Sequence, residues 1–152
     1  MQKRIFSFIK KKYLCTLCCC ENGLPWANAF FYVFDEPNRR LIYVTSEQTH
    51  HAQIMKNNQN VAGTIFSPTK FSPSLQGIQF TGIATKLDGE EENLARSLYK
   101  EAYQHEIIDS LSVWQVSLEY VRMIDHTLGF MNVVEWRHDC DYDTVSDYVP
   151  FF

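Results

Sequence analysis

Residues 41–53 read Leu-Ile-Tyr-Val-Thr-Ser-Glu-Gln-Thr-His-His-Ala-Gln and pass from a strand pattern directly into a helix pattern. Leu41 to Thr45 is a short run of β-branched, aromatic and apolar residues, which favours a strand. Ser46 stands where a helix N-cap belongs, and residues 48–57 can form a helix, with His51 and Met55 one turn apart. The stretch predicts a strand that leads straight into a helix, with hydroxyl and imidazole side chains where the two meet.

The segments on either side of this unit are mostly strand patterns with helices inserted between them. We expect about six antiparallel strands and roughly three helices, which is typical of an α+β domain built on a closed or nearly closed β-barrel. An Asn-Gly pair at residues 22–23 is a strong hairpin signal between the first two strands. The predicted strands cover 13–20, 26–34, 41–45, 61–66, 77–87, a segment around 114–118, and a last one at about 132–136, and the predicted helices cover 5–12, 48–57 and 90–103.

Three local features refine this picture. Gly82 lies within a long strand, where a glycine indicates a bulge or a bend of the barrel. The helix at 90–103 has Leu94, Ala95, Leu98 and Ala102 at helical spacing, so we expect these side chains to face inward. From about residue 139 the chain is acidic, and we expect this tail to be frayed.

Composition excludes several classes of function. The net charge is −4 and the pI is about 5.7, which argues against a nucleic-acid partner because such proteins carry a basic face. We expect no membrane partner, because no apolar run approaches the roughly 20 residues that cross a bilayer. The sequence also lacks a secretion signal and has an odd number of cysteines, five, which predicts reduced thiols in the cytoplasm.

Four of the cysteines lie close together, at residues 15, 18, 19 and 20. Cys15 and Cys18 have the spacing of half a zinc site. On a strand, however, Cys18 and Cys20 face one way and Cys19 the other, which is a poor arrangement for a metal. Buried, unreactive thiols are the more frequent explanation, and we predict no metal site.

The junction of strand and helix is the candidate ligand site. A helix N-terminus presents free N–H groups and a partial positive charge, and the hydroxyls of Thr45, Ser46 and Thr49 add donors. With His50 and His51 they can form a phosphate cradle. An ordinary helix capped by Ser46 explains the same residues and is, on physical grounds alone, the more frequent case. Both interpretations stay open at this point.

The same segment resembles a known family. Its pattern Tyr43-x-Thr45-x-x-x-Thr49-His50-His51-Ala52, followed by Asn57-Asn58-x-x-Val61, is similar to the strand–helix–strand unit of pyridoxamine 5′-phosphate oxidase and its relatives, the FMN-binding split-barrel proteins. Further short motifs extend the resemblance over most of the chain and place it nearest to the YhbP-like branch. They are Ala27-Asn28-Ala29-Phe30, His51-Ala52-Gln53, Val61-Ala62-Gly63-Thr64, Gly77-x-Gln79-Phe80-x-Gly82, Gly89-Glu90-Glu91, Leu94-Ala95-Arg96 and Thr127-Leu128-Gly129-Phe130.

The resemblance implies that residues 1–152 are a single FMN-binding split-barrel domain that forms a homodimer, with the cofactor in a cleft between subunits. It implies that Thr45, Ser46, Thr49, His50 and His51 lie where the family holds the FMN phosphate, and that Gln79 lies near the flavin ring. The aromatic residues Trp26, Phe30, Phe31 and Tyr32 add to the expectation of a dimer, because they supply more aromatic surface than one small barrel needs.

Two departures from the family bear on function. The family has Arg-Lys where this chain has His50-His51, and histidine is mostly neutral at pH 7 and cannot chelate two phosphate oxygens as arginine does. We therefore expect weaker FMN binding that weakens further as the pH rises through the histidine range. The family's Arg-x-His-Asp-Arg element, which handles pyridoxal phosphate, is also absent, since Trp136-Arg137-His138-Asp139 differs in spacing. We do not expect pyridoxamine 5′-phosphate oxidase activity.

The sequence thus predicts an FMN-binding protein, and most simply a flavin-dependent oxidoreductase. No side chain stands out as an acid or base, so no catalytic residue is assigned. The alternative is a non-enzymatic ligand-binding split barrel that has lost or weakened flavin binding. A metal or haem site that uses His50, His51 or the cysteines ranks last, because adjacent helical histidines point about 100° apart.

Overall fold

Nine antiparallel strands form one continuous sheet in the computed structural model, which describes residues 2–130 and 132–146. The sheet order is β2-β1-β5-β6-β7-β4-β3, and β8 joins β7 to β9. The helices are α1 (Gln2–Lys11), α2 (His50–Asn57) and α3 (Gly89–Ala102). The strands are β1 (Leu14–Glu21), β2 (Leu24–Phe31), β3 (Val33–Asp35), β4 (Arg40–Thr45), β5 (Asn60–Ser67), β6 (Gln76–Lys86), β7 (Ser112–Asp125), β8 (Val133–Arg137) and β9 (Cys140–Ser146).

The predicted α+β class is confirmed, and the described residues contain more strands than the expected six. The strand predicted over 26–34 is two strands, because β2 ends at Phe31 and β3 begins at Val33. The expectation of a frayed acidic tail is wrong for residues 140–146, which form β9 and pair with β8. The rest of that tail, from Asp147, lies outside the described residues.

Strand β7 changes partners halfway along its length, and this divides the barrel. Its first half, from Ser112 to Ser117, pairs with β4, and its second half, from Tyr120 to Ile124, pairs with β8. The pairing with β6 slips by one residue at the same point, because Thr81 lies opposite Tyr120 whereas Gly82 lies opposite Leu118. A bulge of this kind bends a strand and increases its twist, so β4 and β8 leave β7 in different directions.

Gly82 makes the bulge possible, as the sequence predicted. A Cβ atom added there would lie 2.4 Å from the carbonyl oxygen of Ser117 and 2.7 Å from Val116 Cγ1. The first of these atoms is backbone and cannot move aside without shifting the strand. Only glycine therefore allows β6 and β7 to approach this closely.

Helix α1 fills the gap that the divided sheet leaves between β3 and β8. The Phe6 ring lies 5.5 Å from the ring of Phe34 on β3 and 5.4 Å from that of Trp136 on β8. The hydroxyl of Tyr32 donates a hydrogen bond of 2.7 Å to the carbonyl of Ile9. The apolar face of α1 thus completes the core, as its amphipathic pattern predicts.

Of the four residues predicted to face inward from helix α3, Ala95 is buried as expected, but Leu94, Leu98 and Ala102 are exposed. Ala95 and Tyr99 are buried, whereas Leu94 and Leu98 are 55% and 37% exposed. Tyr99 and the following Tyr103 also donate hydrogen bonds, to the carbonyls of Phe31 and Tyr32. The helix therefore faces the core with Tyr99 rather than with the leucines, because this orientation allows the tyrosine hydroxyls to form these hydrogen bonds.

We predict that Gly82→Ala lowers the free energy of unfolding by about 2 kcal/mol or more, because the added methyl group collides with backbone. Gly77→Ala on the same strand is the matched control, since its Cβ would make only an ordinary 3.5 Å contact with Phe66 Cβ. Urea unfolding of the two variants measures the difference. Equal stabilities would contradict the packing described for the bulge.

Candidate functional site

The turn between β4 and α2 carries most of the residues predicted to bind a ligand. The structure corrects one detail: Thr49, not Ser46, is the N-cap of α2, and its Oγ1 accepts a 3.4 Å hydrogen bond from the backbone N–H of Ala52. Ser46 instead closes the turn before the helix. Its Oγ accepts from the N–H of Gln48 at 3.2 Å, and its carbonyl accepts from the Thr49 hydroxyl at 2.8 Å. The helix begins at His50, two residues later than predicted, because residues 46–48 are used by this turn.

The imidazole of His51 joins the two threonines into a cluster. Its Nε2 lies 2.7 Å from Oγ1 of Thr45 and 2.9 Å from Oγ1 of Thr49. Thr49 already donates its hydroxyl hydrogen to Ser46, so towards His51 it can only accept. We therefore assign the proton of His51 to Nε2, from which it donates one shared hydrogen bond to both threonines. Thr45 then keeps its own hydroxyl hydrogen, whose nearest acceptor in the cluster is Thr49 at 3.5 Å.

His51 is uncharged in this setting. Burial lowers its pKa, and the neighbouring His50 lowers it further. Thr45, its nearer partner, is itself buried. The cluster therefore supplies hydrogen-bond donors, but the imidazole supplies no positive charge at neutral pH.

Strand β2 forms a wall beside the cluster. The ring of Phe30 lies 5.0 Å from that of His51, and the ring of Trp26 lies 4.8 Å from that of His50, both edge to face. Asn28 lies between these two aromatic residues on the same face of the strand. Its Oδ1 is buried and has no hydrogen-bond partner, which is costly for a polar atom.

Asn28 is the site residue to which sequence reasoning assigned no role. It is the one amide among the apolar and aromatic residues 26–34, and this isolation in a strand is the signal that could have revealed it. His50, in contrast, is exposed beside the half-exposed Trp26. The structure thus brings Thr45, Ser46, Thr49, His50 and His51 together.

Gln79 does not join this group within one chain. It is exposed on β6, while its neighbours Ile78 and Phe80 face the core. It lines a basin of about 350 Å³ on the outer face of the sheet, together with Thr16, Cys18, Thr64, Thr81 and Tyr120. The cluster around His51 lies on the other face, where α2 packs against β1 and β2.

The cysteines of β1 alternate as predicted. Cys15 and Cys19 are buried, whereas Cys18 and Cys20 are half-buried and point to the opposite face. Burial raises the pKa of Cys15 to about 12, so its thiol stays protonated. Among the residues that the structure describes, no group of three or more histidine, cysteine or acidic side chains could hold a metal. No helix in the described part of the chain has the length and apolarity to span a bilayer.

A family model and the sequences of curated proteins indicate the same family for this chain. Residues 1–125 match the family model described as pyridoxamine 5′-phosphate oxidase. UPF0306 protein PM1958 of Pasteurella multocida is 61% identical over 137 residues, which cover 90% of this chain and 92% of the relative. UPF0306 protein YhbP of Escherichia coli is 33% identical over 135 residues, which cover 89% of this chain and 92% of that protein.

Solved structures share the fold at low sequence identity. An FAD-binding protein from Mesorhizobium loti superposes with a TM-score of 0.66 at 13% identity and covers 81% of this chain and 93% of its own. The haem storage protein HutZ from Vibrio cholerae superposes with a TM-score of 0.66 at 17% identity and covers 78% of this chain and 89% of its own. An FAD-binding protein and a haem storage protein therefore share this architecture.

We predict that His51 titrates below the ordinary histidine pKa of about 6.5, because burial disfavours its charged form. Since the folded state prefers the neutral ring, its contribution to stability is present above that ordinary value and is lost as the pH falls. Nitrogen-15 NMR of the imidazoles checks both the titration and the Nε2–H tautomer. A midpoint at or above about 6.5 would contradict the effect of burial, and a proton on Nδ1 in the neutral form would refute the hydrogen-bond assignment.

Proposed function

The chain belongs to the pyridoxamine 5′-phosphate oxidase family, among the UPF0306 (YhbP) proteins, and we propose that it binds FMN at the turn between β4 and α2. We further propose that it is a cytoplasmic flavin-dependent oxidoreductase, although not a pyridoxamine 5′-phosphate oxidase. Two observations carry the proposal: the hydrogen-bonded cluster of Thr45, Thr49 and His51, and the unpaired Oδ1 of Asn28 on the strand face whose neighbouring aromatic rings contact the histidines.

The residues present fit FMN in chemical type. Phosphate oxygens need donors, which the first N–H groups of α2 and the Thr45 hydroxyl can provide. The unpaired Asn28 acceptor needs a donor, and FMN has both ribityl hydroxyls and a ring N–H. Bound FMN would supply the redox chemistry, and these side chains would hold and orient it.

The electrostatics support weak rather than tight binding. A phosphate dianion bound by hydroxyls and a neutral imidazole gains less than one held by two cations. Of the two histidines, His50 is exposed to solvent and His51 is half-buried. The alternative function, a ligand-binding barrel that has lost flavin, follows from the same observation and is the outcome to expect if FMN does not bind.

A homodimer is the second part of the proposal. The outer face of β1, β2 and β5 exposes small uncharged side chains, bordered at one end by Leu14, Phe31 and Phe66, which are 45%, 54% and 61% exposed. The small residues are Thr16, Cys18, Ala27, Ala29, Ala62 and Thr64. Such a face is typical of a protein interface. Of the four aromatic residues expected to support a dimer, Trp26 and Phe31 are exposed, but Phe30 and Tyr32 are buried in the chain's own core.

The dimer would also account for Gln79. Because this residue lies on the outer face, it can serve a site beside α2 only if that site belongs to the other subunit. We therefore propose that each cofactor cleft combines the turn of one chain with the outer face of its partner.

We predict that Asn28→Leu raises the Kd for FMN about fivefold without lowering the melting temperature. The variant removes an acceptor to which FMN would donate, and the loss of that hydrogen bond costs about 1 kcal/mol of binding free energy. The melting temperature should not fall, because the same atom has no partner in the free protein. An absorption spectrum of the purified protein and a fluorescence titration with FMN measure this. The Kd should also rise as the pH increases through the lowered pKa of His51, since the protonated imidazole favours phosphate.

Haemin is the comparison ligand in that titration, because HutZ, a haem storage protein, has the same fold. Uptake of FMN but not haemin supports the proposal. Failure to bind FMN at high concentration, or a Kd that Asn28→Leu and pH leave unchanged, would count against it.

We predict a dimer with twice the 17.8 kDa mass of the chain at micromolar concentration. Phe31→Asp on the outer face should dissociate it, because a buried unpaired charge is costly at an interface. Leu94→Asp on α3 is the control, with the same exposure of about 55% but on another surface. Sedimentation velocity measures the oligomeric state of the parent protein and of both variants. A monomeric parent protein would exclude a cleft shared between subunits.

A further inference from the structure

Glu47 lies in the turn between Ser46 and Gln48 and is tied to three separate elements. Its carboxylate lies 2.6 Å from Nζ of Lys86 at the end of β6 and 2.9 Å from Nζ of Lys56 in the last turn of α2. The same carboxylate accepts a 3.1 Å hydrogen bond from the hydroxyl of Ser112 at the start of β7. Its backbone carbonyl accepts a 2.6 Å hydrogen bond from the side chain of Gln53.

This network persists over the working pH range. The two lysines and Ser112 lower the pKa of Glu47 to about 2, with Lys86 the largest cause, so the carboxylate is charged at any pH used for ligand binding. A single exposed ion pair contributes little, because solvent screens it. Here, however, one carboxylate joins two cations and a hydroxyl from different elements, so it restricts the position of the turn as well as adding attraction.

Without the Glu47 carboxylate the turn keeps its internal bonds from Ser46 to Gln48 and Thr49, and the bond from Gln53 to the Glu47 carbonyl. These bonds join the turn to itself and to α2, and none of them reaches β6 or β7. The position of Thr49 decides whether His51 can reach both threonines. A shift of the turn would therefore open the cluster that is proposed to hold the phosphate.

We propose that Glu47 is a positioning residue, which sets the geometry of the Thr45–Thr49–His51 cluster through its bonds to Lys86, Lys56 and Ser112 without touching the ligand itself. This inference rests on the proposed function for its ligand, but the effect on His51 can be observed without any ligand. Phosphate-bearing ligands should depend on Glu47, and their dephosphorylated counterparts should not.

The first test follows His51 by NMR in the free protein. Glu47→Gln should move the His51 titration upward, toward about 6.5, because the cluster opens and the ring is hydrated. Simple loss of a nearby negative charge would move it downward, so the sign of the shift separates positioning from electrostatics. Asp109→Asn is the control, since it removes the comparable ion pair with Lys100 on α3. A downward shift, or one no larger than in the control, would overturn the proposal.

The second test compares FMN with riboflavin, which lacks the phosphate. Glu47→Gln should raise the Kd for FMN at least fivefold and leave that for riboflavin unchanged. Lys86→Met should cause a similar loss, and the double variant should lose no more than Glu47→Gln alone. Equal effects on both ligands, additive losses, or tighter FMN binding in Glu47→Gln would contradict the assigned role.

The two tests fail separately. If the parent protein does not bind FMN but Glu47→Gln still moves the His51 titration upward, Glu47 positions the cluster and FMN is the wrong ligand. If FMN binds and neither readout responds to Glu47→Gln, the proposed function stands and the positioning role is excluded.

Discussion

The close approach of two backbones, at Gly82 on β6 and Ser117 on β7, determines the layout of the whole barrel. It produces the one-residue slip that lets β7 pair first with β4 and then with β8. The gap between those partners is what the apolar face of α1 covers. Because the first half of β7 stays with β4, Ser112 lies beside Thr45, and the turn that follows β4 is held at that end of the sheet. The turn that carries the candidate site thus depends on the same strand pairing that the bulge at Gly82 divides.

Sequence patterns predicted the type of most elements because their signals are local. The strand and helix around residues 41–57, the glycine bulge and the alternating cysteines all follow from short-range periodicity. Two errors had longer-range causes. Tyr99 of helix α3 and the following Tyr103 face inward because their hydroxyls donate to the carbonyls of Phe31, at the end of β2, and Tyr32. A helical periodicity in the sequence does not indicate such partners. Strand β9 was not predicted because its acidic residues are typical of an exposed tail, whereas the strand forms by pairing with β8.

The site was predictable in composition but not in electrostatics. Spacing alone indicated that hydroxyls and imidazoles meet at the start of α2. It could not show that Thr49 both caps the helix and accepts from His51, nor that burial keeps this imidazole neutral. Asn28 lay in a recognised motif, but its role depends on an atom left unpaired by the fold. Gln79 was grouped with the site by resemblance, whereas its place on the outer face requires a second chain for that grouping to hold.

The different burial of His50 and His51 has a consequence for substitutions at the two positions. Thr45 is buried and the half-buried His51 is bonded to both threonines, so replacing either residue breaks hydrogen bonds within the cluster. His50 is exposed, and its ring contacts that of Trp26 edge to face. A substitution at position 50 should therefore change the charge offered to a ligand at little cost in stability and leave the bonds between His51 and the two threonines intact.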